Sequence, residues 1–186
     1  MAEFFESLSD EHAEFIARQP VFFVATAAEG ARVNLSPKGM DAFRVLGPKL
    51  VGYLDVGGSG NETQAHLTQD GRITVMFCAF DKPALILRIY GRGRFILPQD
   101  PEWAGQVGAF KVLAGTRQIF LIDIDAVQTS CGWGVPFMSF DRERDTLSRA
   151  HMARGRDERV QNLSTRKKSI DGLPVRIQTA FPDLDG

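Results

Sequence analysis

Residues 57–64 read Gly57-Gly58-Ser59-Gly60-Asn61-Glu62-Thr63-Gln64, directly after an apolar segment that ends at Asp55. Glycines let a backbone approach a ligand closely, and free N–H groups at a helix start favour an anion. Asn61 suits the N-cap position, and Gln64 three residues on completes a capping-box pattern. A phosphate is the natural guest of such a turn. A flexible turn leading into a capped helix explains the same residues equally well. The segment is not a Walker loop, because no Gly-Lys-Ser/Thr follows, and it lacks the dinucleotide fingerprint.

A second stretch is Asn34-Leu35-Ser36-Pro37-Lys38-Gly39. On a strand, Asn34, Ser36 and Lys38 share one face. Three polar side chains on one face of an otherwise apolar hairpin point to a ligand groove, although a lone strand-end lysine is more often a solvated charge. Arg88 interrupts the apolar run 84–90 and must be paired or face a polar cavity. An ion pair with an acid is the simpler reading. Cys78 and Cys131 lack metal spacing and a neighbouring histidine, so both read as free thiols. His66 falls on the helix after the glycines, from which it could reach a ligand, although a surface or capping role is the more usual expectation. The segment 130–138 is aromatic yet rich in Gly and Pro. It is expected to be buried against its own sheet or a partner subunit, and Trp133 between two glycines would suit stacking on a planar ring.

The elements that must position these residues are mostly strands. A helix capped by Ser9 and stopped by Pro20 precedes β-rich segments at 21–27, 31–36, 49–55, 72–80, 84–97 and 118–127. Gly91 and Gly93 mark a bulge in the long fifth segment. Asp100-Pro101-Glu102 starts a helix that runs to about Phe110. Six strands with short helices and no β-helix-β alternation predict a mainly β, closed antiparallel sheet and disfavour a doubly wound one. Residues 141–168 predict one or two helices broken near Gly155, with Leu147, Met152, Val160 and Leu163 interleaved among charges. A turn at 169–174 leads into an extended tail.

Composition excludes several classes. The 186 residues are 44% hydrophobic and 24% charged, with a net charge of −1. That profile is globular, and the length buries a core without disulfides or metal. No run approaches the ~20 apolar residues that span a bilayer. The acidic N-terminus has no basic n-region, so the reading is cytoplasmic with no membrane partner. Residues 141–168 hold 9 basic against 5 acidic side chains. Binding to nucleic acid through that segment is the only such option, and the balanced charge and missing aromatics disfavour it.

Taken in order, the 23–39 hairpin, the 58–63 turn, the 72–80 strand and Leu87-Arg88-Ile89-Tyr90-Gly91 resemble the pyridoxamine 5′-phosphate oxidase-like family. The pattern is most similar to a branch that also carries Ser130-Cys131-Gly132-Trp133-Gly134-Val135-Pro136 and Ser169-Ile170-Asp171-Gly172-Leu173-Pro174. The resemblance implies a six-stranded antiparallel split β-barrel of the FMN-binding type over 1–140, with 141–186 as a helical appendage and tail. It also implies a homodimer with FMN at the subunit interface. Asn34, Leu35, Ser36 and Lys38 would run beside the flavin, and Asp55 would end a neighbouring strand. Ser59, Asn61, Glu62 and Thr63 would hold the phosphate, Arg88 would neighbour the cofactor, and Trp133 could come from the other subunit.

The chain departs from true pyridoxamine phosphate oxidases. Their Arg-x-Val-Leu-Leu-Lys is Val33-Asn34-Leu35-Ser36-Pro37-Lys38 here, and only the lysine matches in role. Their basic Ser-Arg-Lys triplet is Asn61-Glu62-Thr63, and the 181–186 ending has no substrate arginine. These differences argue against vitamin B6 oxidation. The expected function is an FMN-dependent oxidoreductase acting on a small molecule. Alternatives are a non-catalytic flavin-binding or stress-related protein, or a deazaflavin or haem binder of the same fold.

Overall fold

The computed structural model describes residues 2–155, 157–158, 161–162 and 167–182. Strands β1 (Glu3–Phe5), β2 (Phe22–Thr26), β3 (Asn34–Lys38), β4 (Phe43–Gly47), β5 (Leu50–Val56), β6 (Arg72–Cys78), β7 (Leu85–Ile96) and β8 (Thr116–Cys131) form one antiparallel sheet. Its order is β3-β2-β6-β7-β8-β5-β4, with β1 beside β8. The mainly β antiparallel architecture is as expected, with β1 and β4 added to the six strands read from sequence. The sheet curls so that β3 and β4 are its free edges.

Alternation builds the interior. Phe22, Val24 and Thr26 of β2 are buried, as are Ile73, Val75 and Phe77 of β6, Leu87 and Ile89 of β7, and Phe120 and Ile122 of β8. Phe22, Phe43, Tyr53, Phe77 and Phe120 stack or meet edge-on at 4.9 to 5.7 Å, the geometry aromatic quadrupoles favour. The register slips between Tyr90 and Gly91. A Cβ on Gly91 would lie 2.2 Å from the Asp123 carbonyl oxygen, so only glycine fits at this predicted bulge.

The helices are short. Helix α1 (Asp10–Ala17) starts at a reciprocal capping box in which Ser9 Oγ accepts from His12 N and Ser9 N donates to His12 Nδ1. Helix α2 (Glu62–Gln69) packs on the interior side of β2, β6 and β7. The helix expected from Asp100 reduces to α3 (Trp103–Gln106) and a 3-10 turn at Val107–Ala109. Asp100 does not cap it, because its carboxylate accepts from Leu97 N and from Arg176. Helix α4 (Thr146–Met152) follows, and Val160 and Leu163 lie outside the described residues. The turn at 169–174 forms as expected, closed by Ser169 N donating to Leu173 O at 2.8 Å. No described helix is long and apolar enough to cross a membrane.

Candidate functional site

The chemistry converges where β5 ends and β8 begins. A bulge between Asp55 and Val56 sets both Arg117 and Gln118 against Asp55. Asp55 Oδ2 accepts from Arg117 Nε at 2.9 Å, Arg117 Nη2 at 2.7 Å and Gln118 Nε2 at 2.8 Å. Lys38 Nζ lies 3.6 Å from Oδ1. Burial alone would raise the Asp55 carboxyl. The Arg117 and Lys38 charges and the Gln118 and Arg117 hydrogen bonds outweigh it and hold the group below the usual carboxylate range.

This cluster supports the glycine turn from below. Arg117 Nη1 donates to Gly60 O at 2.8 Å, and Gln118 Nε2 donates to Asn61 Oδ1 at 2.7 Å. Asn61 therefore does not cap α2 with its side chain, as the sequence pattern predicted. Gln64 does not complete a capping box either. Its amide donates to Gln118 Oε1 and to Arg176 O, and its oxygen accepts from Arg176 N. The reason is burial: Asn61 and Gln64 are enclosed with Gln118, and buried amides must pair where donors and acceptors are within reach.

A polar seam runs along the inner face of edge strand β3. Asn34, Ser36 and Lys38 are half-buried on one face, while Leu35 and Pro37 are exposed on the other. Asn34 Nδ2 donates to Thr26 Oγ1 at 3.3 Å and Thr63 Oγ1 at 3.2 Å. His66 Nδ1 pairs with Thr26 Oγ1 at 3.0 Å. His66 is buried, not at the surface as expected, and among the described residues its Nε2 has no hydrogen-bond partner, while the buried Tyr53 hydroxyl lies beside Thr63. Burial, reinforced by the Asp55 charge, raises the Tyr53 hydroxyl far above its ordinary value and keeps it neutral.

Of the remaining site residues read from sequence, Ser59 is exposed at the tip of the turn. The Glu62 carboxylate accepts from Ile170 N at 3.1 and 3.2 Å, tying α2 to the 169–174 turn. Leu35 is 65% exposed and faces away from the seam. Arg88 forms no ion pair among the described residues and donates instead to Ser130 Oγ at 3.2 Å. Trp133 is 86% exposed, and Phe137 and Met138 are exposed too. The 130–138 segment thus does not bury itself against its own sheet.

The structure thus gathers Asn34, Ser36, Lys38, Asp55, Asn61 and Thr63. It leaves Leu35, Arg88 and Trp133 on the outward side. There, cross-strand rows Leu35-Ala25-Thr74-Tyr90 and Pro37-Phe23-Met76-Arg88-Gln128 form an outward face that is exposed at the β3 edge and half-buried over the strands behind it. Sequence reading missed Arg117, Gln118 and Thr26. The available signal was Arg117-Gln118, a polar pair leading an apolar strand, the same irregularity that singled out Arg88.

Chemically, the seam is a place for an anion beside a place for an apolar body. Lys38 and Arg117 against Asp55 leave one positive charge, with Lys38 partly open to solvent. Glu62 offsets it from the far side of the turn. The N–H groups that open α2 and the Thr63 hydroxyl add neutral donors. Among the described residues no group of three or more His, Cys, Asp or Glu could hold a metal.

A family model described as pyridoxamine 5′-phosphate oxidase matches residues 8–131. A pyridoxamine 5′-phosphate oxidase family protein of Aspergillus flavus, ustO, is 38% identical over an alignment of 193 positions that covers 94% of this chain and 78% of that protein. A putative pyridoxamine 5′-phosphate oxidase from Lactobacillus delbrueckii superposes with a TM-score of 0.54 at 14% identity, over 66% of this chain and 94% of that one. HupZ of Group A Streptococcus superposes with a TM-score of 0.52 at 19% identity, over 64% of this chain and 91% of that one. At such identities the two solved structures speak to the fold alone.

Proposed function

The chain belongs to the pyridoxamine 5′-phosphate oxidase family, and from that premise we propose that it binds FMN and works as an FMN-dependent oxidoreductase on a small molecule. The observation that carries this reading is the β3 edge. Its inner face offers Lys38 and, through Asn34, the Thr63 hydroxyl, while its outer face offers an uncovered apolar strip at Leu35 and Pro37. One strand edge thus presents donors for a phosphate and a flat surface for a ring.

The residues present fit the phosphate end of FMN. Lys38, Thr63 and the N–H groups of the 59–63 turn would hold it, supported by Asp55, Arg117 and Gln118 from beneath. Bound flavin supplies the redox chemistry at its ring, and the chain binds, orients and excludes water. Asp55 holds Lys38 in place at 3.6 Å and keeps the seam charged. Arg117 fixes the turn through Gly60 O. The outward face, exposed at the β3 edge and with Trp133 following β8 in sequence order, supports a homodimer with the flavin between copies. The free thiols at Cys78 and Cys131 agree with a cytoplasmic location.

The test is the visible spectrum of the protein as purified, with mass analysis of any released chromophore. A flavin spectrum and an FMN mass are the expected result. No chromophore and no uptake of added FMN would refute the reading, and a haem or deazaflavin spectrum would replace the cofactor. Oxidation of NADH or NADPH by the loaded protein separates an oxidoreductase from a non-catalytic flavin carrier.

A further inference from the structure

A groove of about 880 Å³ opens beside Lys38, between the end of α1, the strand end Pro37–Met40 and residues 138–150. Its far wall is fastened at two points, Met138 and His151. Met138 N donates to Phe80 O at 3.0 Å. The Glu143 carboxylate reaches over Gly39, where a Cβ would stand 3.7 Å from Oε2 and 3.3 Å from Pro20 O. Buried His151 donates from Nε2 to Gly57 O at 2.8 Å, seated in a notch at Gly115 where a Cβ would strike its ring at 2.3 Å. The floor includes Met40, whose φ of 64° is rare for a residue with a side chain. Asp41, at φ 52°, is held by paired contacts with Arg44. The groove is therefore a built surface, and its volume suits one small organic ligand.

Its lining is apolar at Pro20, Phe80, Phe140 and Leu147. Arg18 and Arg144 also line it, and neither has an anionic partner among the described residues. Among the described lining residues the acids are Asp81 and Glu143 and the bases Arg18, Lys38, Arg142 and Arg144, of which Lys38 is paired with Asp55 and Arg142 with Asp141. What favours an anion is the pair of uncommitted guanidinium groups at Arg18 and Arg144, each of which matches the fork of a carboxylate. Lys38 and Pro37 belong both to this groove and to the β3 edge, so an occupant would abut the cofactor seam.

We propose that this groove is the substrate site and that it takes an amphipathic organic acid: an apolar, ring-sized body bearing one carboxylate. Calling the occupant a substrate rests on the flavin reading, whereas binding of the acid does not.

The full chain is titrated by calorimetry with naphthaleneacetate and with its neutral counterpart naphthaleneethanol. The acid is expected to bind about tenfold more tightly, as a charge-assisted pair to arginine requires. Arg18→Gln with Arg144→Gln should erase most of that preference while leaving FMN uptake unchanged. Leu147→Asp should weaken both probes. Equal affinity for acid and alcohol, or binding indifferent to these changes, overturns the proposal. Saturating acid should also shift the spectrum of the flavin-loaded protein, and mutant-sensitive binding with no such shift overturns the substrate role. If no probe binds and Leu147→Asp converts a dimer to a monomer, the groove is a contact between copies and the proposal fails. Failure of the flavin reading itself is seen separately, in the spectrum of the purified protein.

Discussion

Asp55 is a buried anion beside a seam that is proposed to take a phosphate, and that placement decides its role. A carboxylate whose two oxygens face Arg117, Gln118 and Lys38 has no reason to meet a second anion. It positions cations. Because its folded-state pKa is depressed below the ordinary value of about 3.9, it adds stability above about pH 4 and loses it as pH falls through the folded value. Asp55→Asn should cost about 3–5 kcal/mol at neutral pH, because it strands the Arg117 charge in a buried site. The variant should also flatten the acid side of the stability curve, as urea unfolding across pH 3 to 7 (roughly the range in which carboxyls titrate) would show. Lys38 is the complementary case. Lys38→Ala should weaken FMN on the order of ten- to hundredfold more than riboflavin, since a charge-assisted hydrogen bond is worth about 1.5–3 kcal/mol. Thr63→Ala should act in the same direction and less strongly. Flavin fluorescence titrations give both affinities, and equal losses for the two ligands would move the phosphate elsewhere. The polar face at Asn34, Ser36 and Lys38 was legible because strand alternation is local. Its pairing with Asp55 was not, because β3 and β5 are not neighbours in the sheet and the two side chains meet only across the folded interior.

At the scale of elements, helices α1 and α2 show why one cap was readable in place and the other was misread. Ser9 is exposed and His12 packs edge-on against Phe5, where no other buried amide reaches them, so the local box forms. Asn61 and Gln64 have the right spacing, yet Gln118 and the tail at Arg176 compete for their amides and win. Asn61→Ala should therefore act through Gln118, leaving one of its amide hydrogens unpaired at a cost of about 1–3 kcal/mol. A double-mutant cycle of Asn61→Ala with Gln118→Ala should show a coupling on the order of 1 kcal/mol. A helix cap would couple to nothing across the sheet, so additive losses would sink this account. Strands β1 and β4 escaped the sequence reading for different reasons. Three residues at Glu3–Phe5 carry too little pattern, and edge strand β4 is half-buried at every position, so it has no alternation to detect. The long strands β7 and β8 were visible through their apolar runs and through the glycines at the bulge.

Seen as a whole molecule, the sheet leaves an outer face that a single chain does not close. Val33 is 73% exposed and Leu35 65%, both flanking or on an edge strand that also carries free backbone groups. Such an edge recruits a partner unless something covers it, and Pro37 and Lys38 guard only its end. Trp133, Phe137 and Phe140 add a second exposed apolar run, beyond what isolated surface side chains amount to. A two-fold pairing of these faces would bury both patches with one operator, the commonest closed arrangement. Leu35→Glu places a charge in the middle of that surface. In a lone chain the position is exposed, so the substitution should change folding stability by no more than about 0.5 kcal/mol. In a dimer it faces its own copy across the axis or a neighbouring apolar patch, and the charge must be desolvated. On the proposed pairing, sedimentation should show a dimer for the natural protein and a monomer for the variant, with thermal unfolding nearly unchanged. Flavin occupancy should fall with the dimer, and dilution of the natural protein should release flavin in step with dissociation. A folded Leu35→Glu monomer that keeps full FMN affinity would show that one chain holds the cofactor unaided and that the exposed face serves another partner.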